Sequence, residues 1–188
     1  MLLGLADVTA SQAASTAPIF DCARASHEIE LLVCANEDLA ALDRILARTY
    51  AAARRKTDTQ GMKRLRAEQS GWVKGRNDCW KAADKAACTR DEYVRRIAEL
   101  QASYRLVRMR GPFTFRCVGD GAGEVVVNFF ATDPPTLIAE RGDSVSLMYA
   151  APAASGARYV GRNESFWEHQ GEAAVVWGYG APTLTCRQ

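Results

Sequence analysis

The sequence predicts an α+β chain in two parts: an antiparallel helical hairpin or three-helix unit, then a small eight-stranded antiparallel β-barrel, the whole stapled by disulfides. Three observations carry this. Apolar residues recur at helical spacing from Ser26 to Tyr104, and the period drops to two after Gly111-Pro112. The charge changes at the same place, from a net +6 over 19–110 to −3 over 111–188. The six cysteines divide four and two between the halves. The expected bounds are a signal-like or disordered leader over 1–18, a helical domain over 19–108 and a barrel over 111–188.

Composition sets the class. At 48% hydrophobic and 24% charged, the 188 residues are those of an ordinary globular protein. A formal net charge of +2 gives no reason to expect nucleic acid as a partner. There is no Cys-x-x-Cys, and the two histidines lack zinc-finger spacing, so no metal or cofactor is expected. An even cysteine count split between small domains points to disulfides and an oxidising compartment, periplasmic or secreted. Met1 to Val8 is mostly apolar, and Ser11-Gln12-Ala13 offers the small residues a signal peptidase needs, although Asp7 interrupts the run. No Leu-x-x-Cys lipobox precedes Cys22, so a lipid anchor is not expected.

In the helical half, Leu31, Leu32, Ala35, Leu39, Leu42, Leu46, Tyr50 and Ala53 mark one helix face. Ser26 is the expected N-cap, with Glu28 and Glu30 in the first turn, and Arg54-Arg55-Lys56 close the helix at its negative end. After a turn at 57–61, a second helix runs through Leu65, Gln69 and Trp72 to Trp80, and a third from about Asp91 to Tyr104. In Glu68-Gln69-x-x-Trp72-x-x-x-Arg76, Trp72 is expected in the core with Glu68 and Arg76 solvated. His27, beside the first cap, reads as structural. Counting outward from a turn near residue 58, Cys34 and Cys79 fall at similar heights, with Cys22 and Cys88 one level further out. The nested pairing Cys34–Cys79 and Cys22–Cys88 is preferred, and the local pairing (22 with 34, 79 with 88) stays open.

Beyond Gly111, alternating segments at 113–117, 124–130, 136–139, 144–149, 154–160, 164–168, 172–178 and 183–187 are separated by Gly, Pro, Asp and Asn. Eight short strands in so few residues suggest a closed barrel. Cys117 near its start and Cys186 near its end are expected to join first strand to last, worth about 4 kcal/mol in the chain-entropy account.

Two resemblances follow from particular residues. Phe20-Asp21-Cys22, Glu30-x-x-x-Cys34, Leu39-x-x-Leu42-Asp43, Glu68-Gln69-x-x-Trp72-x-x-x-Arg76-x-x-Cys79 and Cys88-x-x-x-x-Tyr93-x-x-Arg96-Ile97 resemble the LprI-type helical domain of exported bacterial proteins over about 20–104. Some members of that family are associated with lysozyme inhibition. Ala154-Ser155-Gly156-Ala157-Arg158-Tyr159, then Phe166-Trp167, Gly171-Glu172-Ala173-Ala174-Val175 and a Cys three residues from the end resemble the MliC/PliC family over about 113–188. Those proteins are bacterial periplasmic or membrane-bound inhibitors of c-type lysozyme.

The second resemblance implies a barrel that pushes two loops into the substrate cleft of lysozyme. There the Ser of Ser-Gly-x-x-Tyr and a Lys ten residues past that Tyr approach the two catalytic carboxylates. The chemistry is sound by itself: a hydroxyl can hydrogen-bond either carboxyl group, and a cation pairs with the ionised one once water is excluded. Ser155, Gly156 and Tyr159 carry over, but His169 stands at the Lys position and Gln170 at the following Gly. His169 is expected to replace the Lys, with inhibition strengthening as pH falls from about 8 to 6, and Arg158 or Arg162 could instead supply the cation. The expected function is cleft occlusion of c-type lysozyme without catalysis, since no Ser-His-Asp order, metal cluster or carboxylate pair is present. The competing expectation is an envelope-binding module without inhibition, with the helical half offering a surface to another envelope component.

Overall fold

The computed structural model describes residues 16–119 and 123–188. Most of the expected leader lies outside the described residues. Its last part is held down: Arg44 donates to the carbonyls of Thr16 and Ala17 at 2.5 and 2.8 Å, and the Ile19 amide donates to Asp43 at 2.8 Å.

Among the described residues four α-helices come first, where three were expected. They are α1 (Glu28–Ala35), α2 (Glu37–Arg55), α3 (Thr59–Asn77) and α4 (Lys85–Ser103). The extra boundary is Asn36, which leaves the helical region at φ −119°, ψ 114° and turns its Oδ1 onto the Leu39 amide at 3.1 Å. Asn, followed by Glu37 and Asp38, is a strong start signal, and it divides what apolar spacing reads as one helix. The first cap also differs from expectation. His27, not Ser26, caps α1 by accepting from Ile29 N at 3.2 Å, and Glu30 closes the capping box from the other side. Asp58 and Asp84 cap α3 and α4 through the Gly61 and Ala87 amides.

The break at Asn36 changes the disulfides. Cys22 is bonded to Cys34 and Cys79 to Cys88, so the nested pairing Cys34–Cys79 and Cys22–Cys88 is incorrect. Height counting assumes a straight hairpin. Instead, short 3-10 turns at Cys22–Arg24 and Asp78–Lys81 bring each cysteine back onto the element that follows it.

Val33, Leu39, Leu46, Ala53, Leu65, Tyr93, Ile97 and Leu100 form the helical core, with Trp72, Tyr50 and Phe20 packed against it. Arg76 is not solvated as expected: it is 4% exposed. Its guanidinium donates to the Tyr93 hydroxyl at 2.8 Å and to Asn77 Oδ1 at 2.8 and 3.2 Å, and it lies 5.5 Å from the Trp72 ring centroid. Tyr93 in turn donates to Asp43 at 2.9 Å. A buried guanidinium is tolerated where its donors are satisfied and a π face covers it. Burial, reinforced by Asp43, pushes the Tyr93 phenol well above its ordinary range.

The second half is a closed meander, β1-β2-β3-β4-β5-β6-β7-β8, every neighbouring pair antiparallel. Its strands are β1 (Met109–Val118), β2 (Gly123–Phe130), β3 (Thr136–Arg141), β4 (Ser144–Ala151), β5 (Ala157–Val160), β6 (Glu164–His169), β7 (Glu172–Trp177) and β8 (Thr183–Arg187). Alternation sends Phe115, Cys117, Val125, Val127, Leu137, Met148, Phe166, Val175 and Leu184 inside. Cys117 lies opposite Cys186 in the β1–β8 register and is bonded to it, so a disulfide crosses the seam that closes the barrel. Closure removes the edge strands that an open sheet would present.

The two halves meet where α4 lies against β3 and where Tyr149 of β4 reaches α4. The Tyr149 hydroxyl donates to the Arg95 carbonyl at 3.3 Å, and the Arg95 guanidinium lies 5.1 Å from the Tyr149 ring centroid. Burial, then the nearby Glu99 carboxylate, pushes the Tyr149 phenol up to about 12.

Candidate functional site

The loop between β4 and β5 carries Ser155 and Gly156, and the turn between β6 and β7 carries His169 at its entry. Both lie at the same end of the barrel, because Ala157 at the start of β5 pairs with Glu168 near the end of β6. The two loops lean on each other. Gly156 has φ +69°, and a Cβ there would sit 2.1 Å from the Glu168 carbonyl oxygen and 3.0 Å from His169 Cβ. Only glycine meets both the left-handed backbone and that close approach.

Trp167 supplies the second tie. Its indole Nε1–H donates to the Ser155 carbonyl at 2.9 Å, spanning from β6 to the loop. The Ser155 side chain is exposed, and its hydroxyl makes no hydrogen bond among the described residues. The backbone of the loop is therefore held while the Ser155 hydroxyl stays available. Trp167 was not among the expected site residues, although Phe166-Trp167 belongs to the motif; the available signal was period two, which places a large apolar ring outward beside an inward Phe166, and the ring is 43% exposed in the structure.

Trp167 and His169 point outward from β6, with Ser155 beside them. Ser155, Trp167, His169, Glu172, Ala174 and Thr185 line a surface hollow of about 400 Å³. The turn under His169 takes Gln170 and Gly171 at φ +53° and +83°, as a tight two-residue hairpin requires. Glu168 Oε1 accepts from the Gly171 amide at 3.0 Å and pins that turn from inside. Glu172, opposite His169 in the register, is already paired with Arg187 at 2.8 Å.

The other expected site residues divide. Arg158 faces outward on β5, opposite Trp167 in the register, and lines a second hollow of about 470 Å³ on the far side of that ring. It is the cation closest in register to the Ser155 loop. Tyr159 turns inward, packs on Phe129 with ring centroids 5.5 Å apart, and is half-buried, which pushes its phenol up. It supports the loop from the core. Arg162 lies in the β5–β6 turn at the opposite end of the barrel from Ser155. Four residues of β5 separate it from the loop, about 13 Å of extended chain. The helical half docks on β3 and β4, leaving the rim formed by β5, β6 and β7 uncovered by that contact.

The fold and rim define a disulfide-stapled, two-part protein that presents loops from the end of a closed barrel. Residues 21–110 match the family described as Lysozyme inhibitor LprI, and residues 115–184 match the family described as Membrane-bound lysozyme-inhibitor of c-type lysozyme, MliC. The chain is 30% identical over 171 residues to Lipoprotein LprI of Mycobacterium bovis and of Mycobacterium tuberculosis, an overlap of 89% of this chain and 82% of each relative. The chain belongs to the LprI family. No solved structure gives a significant match. Among the described residues, no helix is long and apolar enough to cross a membrane.

Proposed function

We propose that this protein is an exported inhibitor of c-type lysozyme that acts without catalysis, by seating the Ser155 loop and the His169 turn in the active-site cleft. The observation that carries the reading is their joint placement: an unpaired Ser155 hydroxyl and the His169 imidazole border one hollow, tied together by Trp167 and Gly156. Both matched families are described as lysozyme inhibitors, which supports the target class. A glycosidase cleft holds a protonated acid beside an ionised carboxylate, and a hydroxyl with a neighbouring cation complements that pair. Arg158 adds a positive group on the same face, and the excess of acidic residues over 111–188 favours approach to a basic target.

Export is supported by the three disulfides, which need an oxidising compartment. Cys22 is bonded to Cys34, which supports reading it as a structural cysteine and not as a lipid-attachment site. The domain bounds proposed for the chain are 19–108 and 111–188, with the lysozyme-binding residues in the second.

A lytic assay tests this directly. Increasing amounts of the full chain should protect cell-wall substrate from a c-type lysozyme, and Ser155→Ala should weaken protection at least ten-fold, with His169→Ala weakening it less. No protection by the native protein would favour a binding module that has lost inhibition, a reading suggested by His169 where the family resemblance implies lysine. Lysis by the protein alone would identify an enzyme instead.

A further inference from the structure

The barrel is not filled to its end. Beneath the two loops, its mouth opens into a cavity of about 530 Å³ bordered by Arg108, Arg110, Phe113, Phe129, Tyr159 and Glu168. That size lies within the range of small-molecule sites, about 300–1,000 Å³. The wall is aromatic: Phe113 and Phe129 stand 5.9 Å apart by ring centroids, and Phe129 meets Tyr159 edge-on. All three rings are only partly buried, so apolar surface faces the opening. This stretch of wall is the inward-facing continuation of the core that Phe115 and Phe166 close further down, 5.2 Å apart.

Charge at the rim is asymmetric. Arg108 and Arg110, where the helical half passes into β1, are exposed and form no salt bridge among the described residues. Arg110 lies close enough to Tyr159 to act on its phenol. Glu168 is the one acidic side chain bordering the cavity within the described residues, and it already accepts from the Gly171 amide. Neither guanidinium is engaged in a salt bridge with Glu168 or with Gln188, which also borders the cavity, so both are available to an incoming anion. Guanidinium favours planar oxyanions, which it can meet with two parallel hydrogen bonds.

We propose that the barrel mouth is a binding site for a small monoanion with a flat apolar body, an aromatic carboxylate or sulfonate, held by Arg108 and Arg110 and packed against Phe113, Phe129 and Tyr159. The site is separate from the hollow that carries Ser155 and His169: those side chains face outward, whereas Phe113, Phe129 and Tyr159 face the barrel interior. The proposal therefore does not depend on lysozyme inhibition.

Calorimetric titration of the full chain with naphthalene-2-carboxylate and with the neutral naphthalene-2-carboxamide tests it. The carboxylate should bind at least ten-fold more tightly at low salt, and the double variant Arg108→Gln/Arg110→Gln should abolish that preference while leaving the amide's affinity unchanged. Both arginines are exposed, so the double variant should keep the native fold, and its unfolding midpoint checks this. In NMR spectra, the ring signals of Phe113, Phe129 and Tyr159 should move with the carboxylate. Absence of binding at millimolar ligand, equal affinity for acid and amide, or a preference that survives the double substitution would overturn the proposal.

Discussion

Replacing Gly156 with alanine perturbs the site through a single methyl group. Two costs arise together. At φ +69° a residue with a Cβ is in the left-handed region, which costs about 1–2 kcal/mol. The methyl carbon would also start 2.1 Å from the Glu168 carbonyl oxygen, whereas ordinary contact begins near 3.4 Å, so the loop must retreat by more than an ångström. Glu168 cannot give way instead, because its strand is paired on both sides with β5 and β7. With a denaturant slope of about 1–3 kcal/mol per molar urea, the barrel's unfolding midpoint should fall by about 1 M. The same retreat moves the Ser155 hydroxyl out of hydrogen-bond range of any group it meets in the native geometry. A hydrogen bond to a charged partner is worth about 1.5–3 kcal/mol, so the inhibition constant for c-type lysozyme should rise about 10- to 150-fold. Urea unfolding followed by barrel tryptophan fluorescence reads the first effect and a lytic titration the second. A variant with the native midpoint and native inhibition would refute the geometric reasoning; a lower midpoint with intact inhibition would place the contact elsewhere.

Trp167→Phe keeps the ring but removes the donor to Ser155, and should weaken inhibition several-fold at a stability cost under about 1 kcal/mol, since the freed carbonyl is exposed to water. His169→Lys should strengthen inhibition about five-fold at pH 8; an unchanged inhibition constant would remove charge at this position as the explanation. The Tyr149 phenol is pushed up to about 12 in the folded protein. Its unfolded counterpart ionises near pH 10, so the contribution is intact below pH 10 and is lost as pH rises toward 12. Tyr149→Phe should therefore flatten the alkaline decline in stability while changing little at pH 7. Arg76→Met removes the donors to Tyr93 and Asn77 from a buried position, and should destabilise the helical half by about 2–4 kcal/mol, seen as earlier loss of the helical circular-dichroism signal with inhibition by the barrel preserved.

The strands were the most legible part of the chain. Inward Phe115, Cys117, Val125, Val127 and Leu137 alternate with outward polar residues, and Gly, Pro and Asn mark the turns, so the period alone separates eight elements. The helical half was harder for a physical reason. Leu32, Ala35 and Leu39 keep helical spacing across Asn36, so a cap inside the pattern does not disturb the period. The signal was in the polar residues, Asn36-Glu37-Asp38, which serve a helix start better than a helix interior. The disulfide error came from the same place, since counting heights outward from the turn at residue 58 assumes one straight hairpin. Arg76 was illegible at this level. Its burial depends on a phenol from α4 and an indole one turn earlier, and spacing along one helix carries no information about what lies across from it. At the rim, Ser155 and His169 were legible as motif positions. The inward turn of Tyr159 follows from strand parity with Phe166, and the remoteness of Arg162 follows from hairpin topology once β5 is known to be only four residues long.

The bond between Cys117 and Cys186 closes the chain on itself as well as closing the sheet. Everything from β2 to β7, including both loops of the rim, lies on a covalent ring. A single cut in any turn of that ring opens it without releasing a piece, and the severed ends remain tethered at the high effective concentration of an intramolecular partner. A fragment escapes only after a second cut. Survival against a protease should therefore follow two-hit kinetics, with a lag before function is lost, and mild reduction of this one bond should remove the lag.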